Sequence, residues 1–238
     1  MSHVTIENTI RIDRRFQGPP DSGNGGYVAG RLAAFVDGTV RVRLHRPPPL
    51  ETELEVRRIE AGVRLLNDGV IVAEARSTRF CLELPAEPDF EAAERAARDY
   101  RGFHKHWFPR CFVCGPERDP GDGLRIFSGP ISKRGTIVAP WVPDASLGDE
   151  AGRVRSEFLW SALDCPGAFS FPEPSGSAVL LGEQSVELRA PVEVNERCVI
   201  VGWQLSDEGR KHFTATALHS EARGWCAVGL ATWLEIAR

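Results

Sequence analysis

The feature that most constrains this chain is a repeat inside it. Written from Val42, VRLHRPPPLETELEV aligns without a gap with VELRAPVEVNERCVI written from Val186. A chain carrying one stretch twice is expected to build one structural unit twice. Both copies open with apolar and polar residues in alternation. Val40, Val42 and Leu44 stand against Arg41, Arg43 and His45, and Val186 and Leu188 against Glu187 and Arg189. Period two marks a half-buried strand, and each of these runs into a proline break.

More strands follow each break. In the first half they are expected over Leu54 to Ile59, Val63 to Leu66 and Val70 to Phe80, with Asn67-Asp68-Gly69 as a hairpin signal. The second half answers with Cys198 to Leu205, Lys211 to His219 and Trp225 to Ile236, separated by turns at Ser206 to Gly209 and Glu221 to Gly224. Each half therefore reads as an antiparallel meander. Before each meander lies one apolar helical segment: Gly26 to Val36, stopped by Asp37-Gly38, and Ser156 to Cys165, stopped by Pro166-Gly167. Small residues in the first segment permit close packing. Asp89 to Phe103 reads as a charged helix between prolines, so the division expected is 1–84, a helical linker at 85–110, and 111–238.

The 238 residues, 42% of them hydrophobic, suffice for two half-sized units over a shared core. With 29 Lys and Arg against 33 Asp and Glu, and Arg spread along the chain, nucleic acid is not an expected partner. No apolar run is long enough to span a membrane, and the start, MSHVTIENTIRIDRR, lacks the apolar stretch of a secretory signal. Six cysteines without an export signal read as reduced thiols in a cytoplasm.

Two constellations carry chemistry. In GPPDSGNGGYVAG, from Gly18 to Gly30, glycines at a helix start bring backbone N–H groups close to a ligand. The Gly25 and Gly26 amides could stabilise an oxyanion, helped by Asn24. The same residues also suit a plain turn in which Ser22 or Asn24 caps the helix. In EFLWSALDCPG, from Glu157 to Gly167, Asp164 ends an apolar helical segment, where burial raises a carboxylate's pKa and the helix C-terminus pushes the same way. It suits a general base or nucleophile, or else a satisfied structural carboxylate. Ser156 and Asp164 lie eight residues apart on one helix, roughly 12 Å along its axis. One helix cannot offer both its N-terminus and that carboxylate to one carbonyl, whereas two antiparallel helices can.

These motifs, with CFVCGPERDPGDGL between them, resemble the thioesterase-like members of the hotdog superfamily, close to the acyl-CoA thioesterase II and phenylacetate-pathway groups. The resemblance implies an α+β double hotdog: two tandem repeats, each a central helix wrapped by a curved antiparallel sheet. It implies an acyl-CoA or related acyl thioester as substrate, no cofactor, and leaves a homo-oligomer of fused chains open. In the phenylacetate-type enzymes a His-Gly-Gly supplies the oxyanion donor, and an Asp nine residues later, from the partner protomer, is catalytic. Asn24, Gly25 and Gly26 match the first motif, with Asn for His, and Asp164 matches the second. Nine residues after Asn24 stands Ala33, and nine before Asp164 stands Arg155, so each half keeps what the other lacks. One composite site per chain is expected. Tyr27 and Trp160, beside these groups, and Lys211, placed to meet coenzyme phosphates, are the expected substrate contacts.

The Thr or Ser and the late Gln used by the thioesterase II group have no secure match; the Gln position falls near Ala231, beside Thr232. A non-catalytic acyl-binding protein is therefore a competing reading, as is an acyl-thioester hydratase or dehydratase, although neither central helix carries the histidine that chemistry wants. His104, His106, Cys111 and Cys114 could together close a zinc site, but their spacing is not a familiar finger. The expectation is a reduced, metal-free pair packed on Phe112 and Trp107.

Overall fold

The computed structural model describes residues 8–131 and 135–237. The reading of the amino terminus rests partly on residues 1–7, which lie outside the described residues.

Alternating residues become ladders. In the first half β1 (Asn8–Arg11) precedes α1 (Gly25–Ala33), followed by β2 (Val40–Leu44), β3 (Glu53–Ile59), β4 (Gly62–Asn67) and β5 (Val70–Ser77). Val40, Val42, Leu54, Val56, Val63, Leu65, Val72 and Ala75 point inward and are buried. The β4–β5 hairpin turns on Asp68 and Gly69, with φ of 48° and 78°. Two positive φ angles in a two-residue loop match the strand twist, which is why Asp-Gly stands there.

Then come α2 (Phe90–Ala97), β6 (Gly129–Pro130), β7 (Ile137–Trp141), α3 (Ser156–Ala162), α4 (Cys165–Phe169), β8 (Ser177–Leu188), β9 (Cys198–Glu208), β10 (Lys211–Ser220) and β11 (Gly224–Ala237). All described strands form one 11-stranded sheet in the order β1-β3-β4-β5-β2-β8-β11-β10-β9-β7-β6, antiparallel at every ladder.

The two halves meet edge to edge at β2 and β8, where Val40 pairs with Val186 and Arg41 with Ser185. The gapless alignment that sets Val42 on Val186 also sets Arg41 on Ser185, so that equivalent pair lies on a local two-fold axis relating the repeats. Across the same axis α1 packs on α3. A Cβ on Gly30 would lie 2.6 Å from Glu157 Cα, and one on Gly26 would lie 2.6 Å from Asp164 Cβ. Gly26 and Gly30 are one turn apart on one face of α1, so their lack of side chains sets how closely the helices approach.

Several boundaries differ from those expected. Helix α1 stops at Ala33, three residues before Val36, and β5 stops at Ser77 rather than Phe80. The helix expected over Asp89 to Phe103 is shorter: Asp89 accepts from the Ala92 amide as a cap, α2 ends at Ala97, and a separate 3-10 turn covers Arg101–Phe103. This segment is packed on the second half, with Phe90, Ala93 and Ala96 against Val138, Val199 and Val201. The helix expected over Ser156 to Cys165 breaks at Leu163 and Asp164 and resumes at Cys165. Pro166 opens this next helix rather than ending the last, because a proline in the first turn forfeits no intrahelical bond. Strands β1, β6 and β7 were not foreseen: β6 is two residues long, and β7 carries Pro140 near an edge. No helix among the described residues is long and apolar enough to cross a membrane.

Candidate active site

The break between α3 and α4 decides where Asp164 points. Its carboxylate caps neither helix. It reaches instead to the start of α1, where Oδ2 accepts from Asn24 Nδ2 at 2.7 Å and from the Gly26 amide at 3.1 Å. Asn24 does two jobs. As N-cap its Oδ1 accepts from the Tyr27 amide at 2.9 Å, and that bond fixes which way the carboxamide faces, turning Nδ2 onto Asp164. The cap anticipated at Asn24 is present, while its Nδ2, expected to face a thioester oxygen, is turned to Asp164.

Two bonds from the sheet hold the end of α3. Gln184 Nε2 donates to Trp160 O at 3.2 Å, and Thr216 Oγ1 donates to Leu163 O at 2.9 Å. Sequence reading missed both residues, though each is a polar side chain on an inward-facing strand position. Gln184 pairs across the ladder with Ala231.

Asp164 is 2% exposed, and its Oδ1 has no hydrogen-bond partner among the described residues. Burial is the main cause that pushes its pKa up to about 7, with the Cys111 charge acting the same way and the Gly26 amide and Asn24 opposing. The rise expected from burial is present. The break leaves Asp164 just after the C-terminus of α3 and immediately before α4.

Asp164, Asn24 and Gly25 line a cavity of about 240 Å³. Leu44, Val179, Leu181, Phe169 and Trp233 form apolar wall, and His45, Arg46, Arg101 and Lys105 also border it. Gly26 does not border it, and its amide is turned to Asp164. Three expected substrate contacts lie elsewhere. Tyr27 is buried, stacks on Phe16 at 4.0 Å between centroids, and its hydroxyl accepts from Arg31. Trp160 is buried against Gly30, and Lys211 is an exposed residue at the β9–β10 turn. None of the three borders the cavity. Cys111, Cys114, Cys165 and His106 do, whereas His104 is exposed.

No family model and no curated protein matches the chain. Among solved structures, it is similar to the tesB protein of Mycobacterium avium subs paratuberculosis, at 11% identity and a TM-score of 0.63, over 98% of this chain and 96% of that one. It is also similar to the acyl-CoA thioesterase II TesB2 of Mycobacterium marinum, at 13% identity and a TM-score of 0.61, over 97% of this chain and 93% of that one. At such identities the likeness is one of fold, and it runs nearly the whole length of each chain. The chain shares the fold of these two proteins.

Proposed function

We propose that this protein is an acyl-thioester hydrolase, acting on acyl-CoA at one composite site where two fused hotdog units meet. The observation that carries this reading is the buried carboxylate of Asp164, a residue that lines a largely apolar cavity, held at Oδ2 by two donors from the other half while Oδ1 has no partner among the described residues. Such a group can take a proton from water or attack a carbonyl. The double-hotdog reading is supported by the local two-fold axis at Arg41 and Ser185 and by the paired helices α1 and α3.

Asn24 and Gly26, first considered as donors to the thioester oxygen, act in this reading by orienting Asp164. The oxyanion role passes to Gly25, at the first position of α1 on the cavity wall, where helix amides lack intrahelical partners. The cavity is smaller than the roughly 300 Å³ at which pockets begin to take whole drug-sized ligands. It therefore suits an acyl arm of short to medium length, with the coenzyme outside. The six free cysteines support a reducing compartment such as a cytoplasm.

The test is hydrolysis of acyl-CoA thioesters from short to long chains by the purified protein, followed as free CoA by chromatography so that protein thiols do not interfere. Turnover with short and medium chains, falling for long ones, is the expected result. A non-hydrolysable thioether analogue that binds, with no thioester cleaved at any length, would replace the hydrolase with an acyl-binding protein.

A further inference from the structure

The two thiols of one Cys-x-x-Cys and a third from a distant part of the chain converge in the region of the carboxylate. Cys111 and Cys165 Sγ are 3.7 Å apart, and the sulfurs of Cys111, Cys114 and Cys165 all lie within 4.8 Å of one another in buried positions. The Cys-x-x-Cys segment is wound tightly around the first of them. Gly115 donates to Cys111 O at 2.9 Å, and a Cβ at Gly115 would lie 2.6 Å from Cys111 N and O, so only glycine closes this turn. His106 Nε2 stands 3.3 Å from Cys114 Sγ.

We propose that Cys111, Cys114 and Cys165 bind one zinc ion as thiolates; His106, which lies outside this 4.8 Å group although its Nε2 is 3.3 Å from Cys114 Sγ, would have to move closer to become the fourth ligand. With Zn–S bonds of about 2.3 Å, a tetrahedral site has sulfur-to-sulfur edges of about 3.8 Å, close to the separation of Cys111 and Cys165. Soft thiolates select zinc over calcium or magnesium. His106 Nδ1 accepts from the Phe108 amide at 2.9 Å, so ligation through Nε2 requires that amide to turn away and the ring proton to sit on Nδ1. The three thiolates are thus the core of the site. The expectation of a metal-free pair considered Cys111 and Cys114 without Cys165, which only the fold brings to them. The ion would clamp the segment around His106 to Cys114 onto the first turn of α4. That fixes Cys165 beside Asp164, and Cys111 at 3.8 Å from Asn24 Nδ2.

The experiment is elemental analysis of the full chain, grown with zinc and purified without chelator. About one zinc per chain is expected, and Cys165→Ser should retain it at least about tenfold more weakly. Because that variant could fail to fold, the wild-type chain is also stripped by a chelator and refilled with Co²⁺. Thiolate-to-cobalt charge-transfer bands and intense visible bands of a tetrahedral ion are expected. Folded wild-type protein with far less than one zinc per chain and no such cobalt bands would overturn the proposal. So would a disulfide joining Cys111 and Cys165 in the purified protein.

Discussion

Asp164→Asn is expected to cut acyl-CoA hydrolysis by a factor of about 10² to 10⁴, the usual scale for losing general-base assistance, or about 3 to 5 kcal/mol of transition-state stabilisation. The substitution keeps the volume of the side chain and can keep a carbonyl oxygen facing Asn24 and Gly26. It removes the group that takes the proton or attacks the carbonyl. Binding of a thioether analogue should hardly change, so the loss should fall on kcat rather than on affinity. Steady-state kinetics together with calorimetric binding of the analogue make the check. A variant that turns over like wild type would take Asp164 out of the chemistry.

Asn24→Asp should be nearly as damaging, for a different reason. Asp caps a helix as well as Asn does, so the bond from the Tyr27 amide survives. The donor facing Asp164 at 2.7 Å becomes an acceptor, and two carboxylates at that distance repel unless a proton is taken up between them. Turnover should fall by about 10² or more, the scale seen when one preorganised donor is lost. Stability to urea should drop by more than the ~1 kcal/mol that a cap alone contributes. Asn24→Ser separates the two roles, since it keeps a capping oxygen, loses the donor and adds no charge. It should unfold close to wild type while still losing activity. If Asn24→Asp and wild type have equal turnover, the Asn24 to Asp164 bond has no catalytic role.

What could be read from the sequence followed from local pattern. The repeat, the period-two strands, the Asp-Gly hairpin and the facing of the first helix's start toward Asp164 all rest on neighbours in the chain or on one geometric argument, whereas the bonds from Asn24 and Gly26 to Asp164 came only with the fold. The break at Asp164 was hidden because Pro166 signals a helix start as readily as a stop, and only packing decides between them. Strands β6 and β7 escaped because so short a strand, and one carrying Pro140, show no clear alternation. Tyr27 and Trp160 were placed near substrate by position beside the motifs, yet Trp160 packs against Gly30 and Tyr27 stacks on Phe16, so both belong to the core. Cys165 gave no local signal at all. Its meaning depends on Cys111 and Cys114, which reach it only through the fold.

The most direct measurement is a crystal structure of the Asp164→Asn protein with an intact acyl-CoA bound. The hydrolase reading requires the scissile carbonyl carbon within roughly 3.5 Å of the side chain at position 164, its oxygen toward the Gly25 amide, and the acyl arm in the cavity beside Leu181 and Phe169. An acyl-CoA seated elsewhere, or one whose carbonyl faces away from position 164, would contradict it.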